Sequence, residues 1–457
     1  MIDAGREDLV VSAPGLGFAG ELVDSKDGKT YVFSRLNHAT AESLRKLFPW
    51  TAPSRVLGRD KTMGVGDRLG VAGDGHIRVF KKFPEITPIL AQQSIRELTL
   101  TNRTFADVLD SATFAVFRNG FTTGWGADGD HVKTAEEVEY ALTSGYTMIT
   151  MDCSEHIDNT IEALSSEEVN KKYVKNAELE ALYLGKSFDI GNGVTISFDE
   201  DLFRRTVLIY AEAVDYAEGI YKKHVAPGGV ARADFEVSID ETMTPTIPAQ
   251  HFFVSSELTR RGVKVATVAP RFCGEFQKGI DYIGDLDQFE REMRVHAQIA
   301  RHFGYKLSIH SGSDKFSAFP SSGRETQGRF HLKTAGTNWL EAVRLIAVKD
   351  PALYRGIHKY ALEAFKEASK YYHVTTDLTK IPDIDTLTDA QLPDLFKNND
   401  SRQLIHITYG LILNLKDEFG RFVFKDRMYS LWRTYREDYA EYLFNHIGHH
   451  ASAILLK

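Results

Sequence analysis

The chain has 457 residues and a formal net charge of −8, with 43% hydrophobic and 26% charged residues. These proportions are typical of globular proteins, and no apolar run reaches the roughly 18 residues of a membrane-spanning helix. Lys and Arg do not cluster along the sequence, so neither nucleic acid nor a membrane is expected as a partner.

The start of the chain and its cysteines bear on the cellular compartment. Residues 1–8, MIDAGRED, are acidic where a secretory signal needs a basic flank and an apolar segment. The only cysteines, Cys153 and Cys273, form no CxxC pair, and each ends an apolar run, which is typical of a small buried thiol. We therefore expect a cytoplasmic protein.

Residues 1–85 are rich in glycine and in short apolar runs, which predicts a β-rich N-terminal extension. Within it, residues 64–70, GVGDRLG, superficially resemble a phosphate-binding loop. Neither a GK[ST] sequence nor a GxGxxG-helix context follows, so a glycine-rich loop is the preferred interpretation.

Over residues 86–380, helical segments alternate with short runs of β-branched and aromatic residues, which indicates parallel strands with helical crossovers. The predicted strands are residues 113–117, 126–132, 146–152, 235–240, 263–268, 306–310, 329–333 and 373–376. Their number and spacing fit an α/β fold of the (β/α)8 TIM-like barrel type, typically ~250 residues long, better than an open sheet with separate domains.

Local signals place several elements around this barrel. Thr134 and Glu137 have the spacing of a capping box, so a helix should begin there. An amphipathic helix is predicted at residues 285–303, with Gly304 as its stop. The polar segment 165–194 is too long for a simple connection and is predicted to be an insertion that could cap the barrel.

Residues 381–457 are predicted to form a C-terminal helical region packed on the barrel. Aromatic residues recur at helical spacing within residues 427–446 and should contact either the barrel or a second subunit, which leaves a homo-oligomer open. The late histidines His446, His449 and His450 are interpreted as part of a terminal tail rather than as a metal site.

Three histidines, His131, His310 and His331, each lie at or just after the end of a predicted strand, and two of them share the sequence HxKTA. On a barrel all such ends surround one mouth, so the imidazoles should converge. Neutral imidazoles with an open coordination position suit a catalytic transition metal better than Mg²⁺ or Ca²⁺. We therefore predict a divalent metal cation, with Zn²⁺, Ni²⁺ and Mn²⁺ as candidates.

Three acids occupy similar positions: Asp130, Glu241 and Glu275. Two acids across a substrate, one ionised and one protonated, would supply a proton acceptor and a proton donor. The cations beside these groups are predicted to bind an anionic substrate, and they are Lys133, Arg271, Lys315 and Lys333. Any one of these residues alone is more often a helix cap or a surface charge, so the prediction depends on the whole set.

Three segments resemble the tagaturonate epimerase family: ADGDHVKT at residues 127–134, FEVSIDETMTPT at 235–246 and LIHITYG at 404–410. The resemblance runs through most of the chain. It implies a metal-dependent barrel enzyme of hexuronate breakdown that interconverts D-tagaturonate and D-fructuronate by inverting C4. The Asp-His pair of the family corresponds to Asp130 and His131, and its acidic partner is assigned to Glu241, with Glu275 as the alternative.

The residues are compatible with that chemistry. C4 is β to the C2 ketone, so its hydrogen is not acidic enough for direct removal, whereas loss of the O4 proton to Asp130 would allow a retro-aldol cleavage of the C3–C4 bond. A hydride route would need a nicotinamide, and no convincing dinucleotide fingerprint follows the predicted strands. A metal-dependent aldolase or hydrolase of a sugar acid, and a non-catalytic sugar-acid binding protein, are the alternatives.

Overall fold

The computed structural model describes residues 2–3, 6–12, 15–26 and 28–455. Met1, Ala4 and Gly5 of the acidic start lie outside the described residues, as do Leu456 and Lys457. The first strands are β1 (Ile2–Asp3), β2 (Arg6–Val11), β3 (Glu21–Asp24) and β4 (Thr30–Arg35). They form an antiparallel sheet in the order β1-β2-β4-β3 that precedes the barrel.

The remaining strands build a closed parallel barrel and one small hairpin. In chain order they are β5 (Lys61–Gly64), β6 (Thr87–Gln93), β7 (Gly126–Val132), β8 (Met148–Asp152), β9 (Ser187–Asp189), β10 (Thr195–Ser197), β11 (Asp234–Ile239), β12 (Thr267–Pro270), β13 (Lys306–Ile309) and β14 (Phe330–Lys333). All but β9 and β10 belong to the eight-stranded barrel, which closes where β14 pairs with β5. The predicted (β/α)8 barrel is confirmed.

Seventeen α-helices are found in the described part of the chain. They are α1 (His38–Leu47), α2 (Gly73–Lys82), α3 (Ile95–Thr101), α4 (Phe105–Asn119), α5 (Ala135–Thr143), α6 (Ser166–Lys172), α7 (Ala177–Tyr183), α8 (Glu200–Ile220), α9 (Pro248–Arg260), α10 (Leu286–Phe303), α11 (Phe319–Glu325), α12 (Thr337–Lys349), α13 (Pro351–Ala368), α14 (Asn399–Ile407), α15 (Tyr409–Asn414), α16 (Lys425–Thr434) and α17 (Arg436–Leu455). The Thr134–Glu137 capping box begins α5, and left-handed Gly304 ends α10, as the sequence predicted.

Two predicted strands are wrong. Residues 113–117 lie inside α4, which begins with a capping box between Thr104 and Asp107 and buries residues at helical spacing. Residues 373–376 are irregular coil. Their places are taken by β5 and β6, so the barrel begins at Lys61 rather than at residue 86. A short apolar run does not distinguish a buried strand from one turn of a buried helix.

The insertion around residues 165–194 packs on the outside of the barrel rather than over its mouth. The hydroxyl oxygen of Tyr183 lies 2.7 Å from Glu257 Oε1 on α9, and Asn192 Nδ2 donates to Gln298 Oε1 on α10 at 2.8 Å. Leu179 and Tyr183 are buried, so the insertion hides its apolar face against the outer helices.

The C-terminal region is helical and shares an apolar cluster with α12 and α13. Trp432 Nε1 donates to the carbonyl of Ala342 at 3.0 Å, and the Tyr439 hydroxyl donates to the carbonyl of Asn338 at 2.9 Å. The aromatic residues of this region therefore contact barrel helix α12, while a homo-oligomer stays a prediction. Among the described residues, no helix is both long enough and apolar enough to cross a membrane.

Candidate active site

A cavity of about 520 Å³ opens at the C-terminal ends of the barrel strands. Active sites of such barrels form at this end because the loops after all strands meet there. Tyr371, Tyr372, His373 and His406, which follow the last barrel strand by many residues, also line the cavity. Its volume lies within the roughly 300–1,000 Å³ of small-molecule sites.

The backbone of β7 directs two consecutive side chains toward this cavity. Successive residues of a strand normally point to opposite faces. His131 has a φ of 50°, in the left-handed region, and the pairing of β7 with β8 shifts register between Gly129 and Val132. Asp130 and His131 consequently both line the cavity. Such a conformation is uncommon for a residue other than glycine and is concentrated at functional sites.

His131, Asp240 and His310 form a compact group, in which one potential ligand atom of each residue lies within 4.8 Å of the others. His310 Nδ1 is 3.1 Å from Asp240 Oδ1, and His131 Nε2 is 4.0 Å from the same oxygen. The other nitrogen of His131, Nδ1, is held by Asp130 Oδ1 at 2.8 Å. Two imidazoles and one carboxylate are ligands that Zn²⁺, Ni²⁺ and Mn²⁺ accept.

The electrostatics of this group favour positive charge. Burial lowers the pKa of His131, but Asp130 outweighs burial and raises that pKa to about 10. Burial raises the pKa of Asp240, but His310 and His131 outweigh it and hold that pKa well below its usual range. The carboxylates around the two imidazoles thus stabilise a cation at this position.

A buried ammonium group forms the floor of the cavity. Lys333 Nζ lies 2.7 Å from Asp130 Oδ1, 2.9 Å from Asp128 Oδ2 and 2.8 Å from Glu236 Oε1. Burial lowers the pKa of Lys333, but these carboxylates raise it well above its ordinary value. Burial also raises the pKa of Asp128 to about 6, against the opposing effect of Lys333. Lys333 therefore remains charged and ties Asp130 in place.

The other cations predicted to bind substrate differ in position. Lys133 and Arg271 line the cavity. Lys315 is fully buried, and its Nζ donates to the carbonyls of Gln277, Ile280 and Ser313 at 2.6–2.9 Å. Lys315 thus holds two loops together and is not a cavity-lining residue, because those carbonyls use all three of its donors.

His331 is not part of the histidine–aspartate group. It lies two residues before Lys333 on β14 and is fully buried, with Nδ1 2.9 Å from the hydroxyl of Thr62. Burial lowers its pKa to about 3, so it is a neutral side chain of the barrel interior. Side chains inside such a barrel form layers, and His331 belongs to a deeper layer than His310.

The two predicted acids lie at the rim of the cavity, with half-exposed side chains. Glu241 Oε1 is 4.0 Å from His131 Nε2, whereas Glu275 is 3.8 Å from Arg271 and 3.6 Å from His373. Glu241 is therefore the acid next to the histidine–aspartate group.

Sequence reasoning missed several cavity residues, notably Asp240, Arg68, Lys278 and His406. Asp240 directly precedes Glu241 and was a strand-end acid as well. Arg68 belongs to the GVGDRLG segment, and recognition of β5 before it would have placed that segment at the mouth. His406 belongs to the LIHITYG segment in helix α14, but its distance along the chain from the barrel strands gave no reason to place it at the mouth.

Comparison with known proteins agrees with this architecture. The sequence model of the tagaturonate epimerase family matches residues 15–454. A tagaturonate/fructuronate epimerase of Thermotoga maritima is 43% identical over 432 residues, which cover 94% of this chain and 87% of the relative. A glycerol-complexed crystal structure of the fructuronate-tagaturonate epimerase UxaE from Cohnella laeviribosi has a TM-score of 0.95 and 49% identity, covering 98% of this chain and 92% of that chain.

The native crystal structure of the same Cohnella laeviribosi enzyme gives the same TM-score, 0.95, and the same identity, 49%. The match of the family model extends over nearly the whole chain, from the N-terminal sheet to the last helix. The chain therefore belongs to the tagaturonate epimerase family and is an isomerase.

Proposed function

We propose that this protein interconverts D-tagaturonate and D-fructuronate by inverting C4, and that it depends on a divalent metal. The observation that carries the proposal is the group of His131, Asp240 and His310 at the mouth of a barrel that belongs to this family. The names of the Thermotoga maritima and Cohnella laeviribosi relatives support the substrate pair.

His131, Asp240 and His310 would hold the metal, in place of the three histidines predicted from the sequence. The donor set fits, because it combines imidazole nitrogens with a carboxylate oxygen and faces the cavity. Asp130 occupies Nδ1 of His131, which leaves Nε2 as the ligand atom, an arrangement typical of metal-binding histidines. A divalent cation there would stabilise negative charge on the oxygens of the substrate.

Asp130 is better placed to orient His131 than to accept a proton. Its Oδ1 contacts both His131 and Lys333, and its Oδ2 accepts from Gln92 Nε2 at 3.2 Å. Burial raises its pKa, but Lys333 and His131 outweigh burial and lower it well below the usual range. A carboxylate so stabilised is a weak base.

Glu241 is the proposed proton acceptor, because it lies beside His131 at the cavity and keeps a half-exposed carboxylate. Glu241 would take the O4 proton while the C3–C4 bond breaks and its electron pair moves toward the C2 ketone. The C4 aldehyde then turns over, the bond re-forms on its other face, and Glu241 returns the proton to O4. Glu275 is the alternative acid, and it pairs with Arg271 and His373 rather than with His131 or His310.

Product analysis tests this proposal. Protein treated with a chelator and then supplied with Zn²⁺, Ni²⁺ or Mn²⁺ should convert D-tagaturonate to D-fructuronate, resolved by chromatography. Shorter fragments would indicate an aldolase, and unchanged substrate would indicate a binding protein. In D₂O the C4 hydrogen should be retained, because it travels with the aldehyde carbon; deuterium at C4 after one turnover would contradict the retro-aldol route.

We also propose a cytoplasmic location, which the two buried thiols of Cys153 and Cys273 support.

A further inference from the structure

Most cations that line the cavity already have partners. Lys133 Nζ is 3.2 Å from Glu155 and 3.5 Å from Asp152. Arg271 donates to the carbonyl of Thr242 and lies 3.8 Å from Glu275. Lys333 is surrounded by carboxylates, as described above. These three cations are therefore less available to an anionic substrate than a donor without a partner.

Arg68 offers such a donor. It is 3% exposed and lines the cavity, and its Nε and Nη2 both donate to Glu97 Oε1, at 2.8 and 2.6 Å. Its guanidinium carbon stands 4.3 Å from the ring centroid of Tyr409, which fixes the plane of the group. The remaining nitrogen, Nη1, is buried and has no hydrogen-bond partner among the described residues. Buried donors are rarely left unpaired in proteins unless a ligand or water completes them.

Lys278 is a second cation of this part of the cavity wall. Its Nζ lies 3.1 Å from the hydroxyl of Ser311, the residue that follows His310. Within the described ranges, no carboxylate forms an ion pair with Lys278. The ammonium group thus retains donors beside the histidine–aspartate group.

His406 of α14 completes the set from the C-terminal region. It is fully buried and lines the cavity, and neither ring nitrogen has a partner in the part of the chain that the structure describes. The ring packs so closely on the backbone that a Cβ at Gly336 would stand 2.1 Å from its Cε1, and one at Gly279 would stand 3.1 Å from its Nδ1. Burial, and then the positive charges of Arg68 and Lys278, lower the pKa of His406 well below its usual value.

We propose that Arg68, Lys278 and His406 form the subsite for the carboxylate of the sugar acid, shared between the barrel loops and helix α14. The inference rests on the proposed function and deepens it. Two cationic donors and one neutral imidazole N–H match the oxygens of a carboxylate, which fills donors that are otherwise unpaired. Selection of a sugar acid over a neutral ketose would then depend on the C-terminal helical region as well as on the barrel.

Substitution of Lys278 tests the subsite with a matched control. The kcat/KM for D-tagaturonate relative to that for neutral D-tagatose should fall by about 10- to 100-fold in Lys278→Met, the loss expected for one hydrogen bond to a charged group. Lys349→Met removes the same charge outside the cavity, where the lysine pairs with Asp438, so this ratio should stay within about twofold of wild type. An unchanged ratio in Lys278→Met would overturn the proposal.

A second variant and a binding measurement test the subsite even if a variant has lost catalytic activity. His406→Leu removes no side-chain hydrogen bond that the described residues make, and it should lower the same ratio. D-galactonate, followed by calorimetry, should bind about tenfold or more weakly to Lys278→Met and to His406→Leu than to wild type. If wild type fails to epimerise D-tagaturonate, the proposed function is wrong while galactonate binding still tests the subsite; equal galactonate affinity in all three proteins would refute the subsite itself.

Discussion

Two groups among the described residues each bring two histidines and one aspartate together, yet they differ in what their atoms contact. His131, Asp240 and His310 face the cavity at the mouth of the barrel. Asp314, His446 and His450 lie where α17 packs on the loop after β13. Residue types are therefore the same in both groups, and the surroundings distinguish them.

The second group does not line the cavity, and its aspartate is already paired with an arginine. Asp314 Oδ2 accepts from Arg402 at 2.7 Å, and Asp314 Oδ1 is 2.5 Å from His446 Nε2. His450 Nε2 accepts from the backbone N–H of Asp314 at 2.7 Å, and His450 Nδ1 donates to the carbonyl of His446 at 2.8 Å. Arg402 supplies the positive charge that a metal would bring to the first group. These histidines, expected in a terminal tail, instead fasten α17 to the barrel.

The strongest test of this difference removes one histidine from each group. His310→Ala should lose bound metal and about 10³-fold in kcat/KM, because a metal ligand contributes several kcal/mol to transition-state stabilisation. His450→Ala, in folded protein, should keep the metal content of wild type, measured by plasma mass spectrometry. Equal metal loss in both variants would contradict the comparison.

The second group, in contrast, should contribute to the free energy of unfolding rather than to metal binding. Asp314→Asn should lower the free energy of unfolding by about 3 kcal/mol, because it leaves the largely buried guanidinium of Arg402 without its carboxylate. Asp438→Asn is the matched change on α17, where the pair with Lys349 is partly exposed, and should cost about 1 kcal/mol or less. Urea unfolding measures the free energy of unfolding of both variants. Equal losses would mean that burial of the Asp314 group does not increase its contribution to stability.

A third test concerns Asp130, which contacts a histidine of the first group. Asp130→Asn should weaken metal binding by about 10- to 100-fold, as expected when the group that orients a ligand histidine is changed. Competition with a chelator gives the affinity directly. Unchanged metal affinity together with a large fall in kcat would show instead that Asp130 is the general base expected from the sequence.

The smallest expected effect is a change in the pH dependence of stability, and it involves a histidine that belongs to neither group. His358 in α13 is fully buried, has no hydrogen-bond partner within the described ranges, and has a pKa lowered by burial to about 4. As pH falls below about 6.5 the unfolded chain takes up a proton that the folded chain does not, so stability is lost at about 1.4 kcal/mol per pH unit down to pH 4.

His358→Leu should therefore remove about 2 kcal/mol of the loss in stability between pH 7 and pH 5. His449→Leu, at an exposed position of α17, should leave that loss as in wild type. Chemical unfolding at pH 7 and at pH 5 measures this loss. Identical losses in His358→Leu and wild type would show that His358 does not cause the pH dependence.

The barrel, the start of α5 at Thr134, the end of α10 at Gly304 and the family could all be predicted from the sequence alone. These features depend on local periodicity, on capping and on residues that are neighbours along the chain. The pairing of Asp130 with His131 could also be predicted, because the two residues are adjacent in the sequence; the left-handed backbone of His131 at the end of β7 keeps both side chains at the cavity.

Which side chains share the cavity could not be predicted in this way, because it depends on how distant segments pack together. Barrel closure places His331 one layer below His310, brings Asp240 beside both His131 and His310, and buries Lys315 among carbonyls. His406 reaches the cavity because α14 packs against the loop that holds Gly279. Periodicity tells which residues are buried, but the register between strands and the docking of distant helices depend on packing between segments far apart in the chain, which no local pattern encodes.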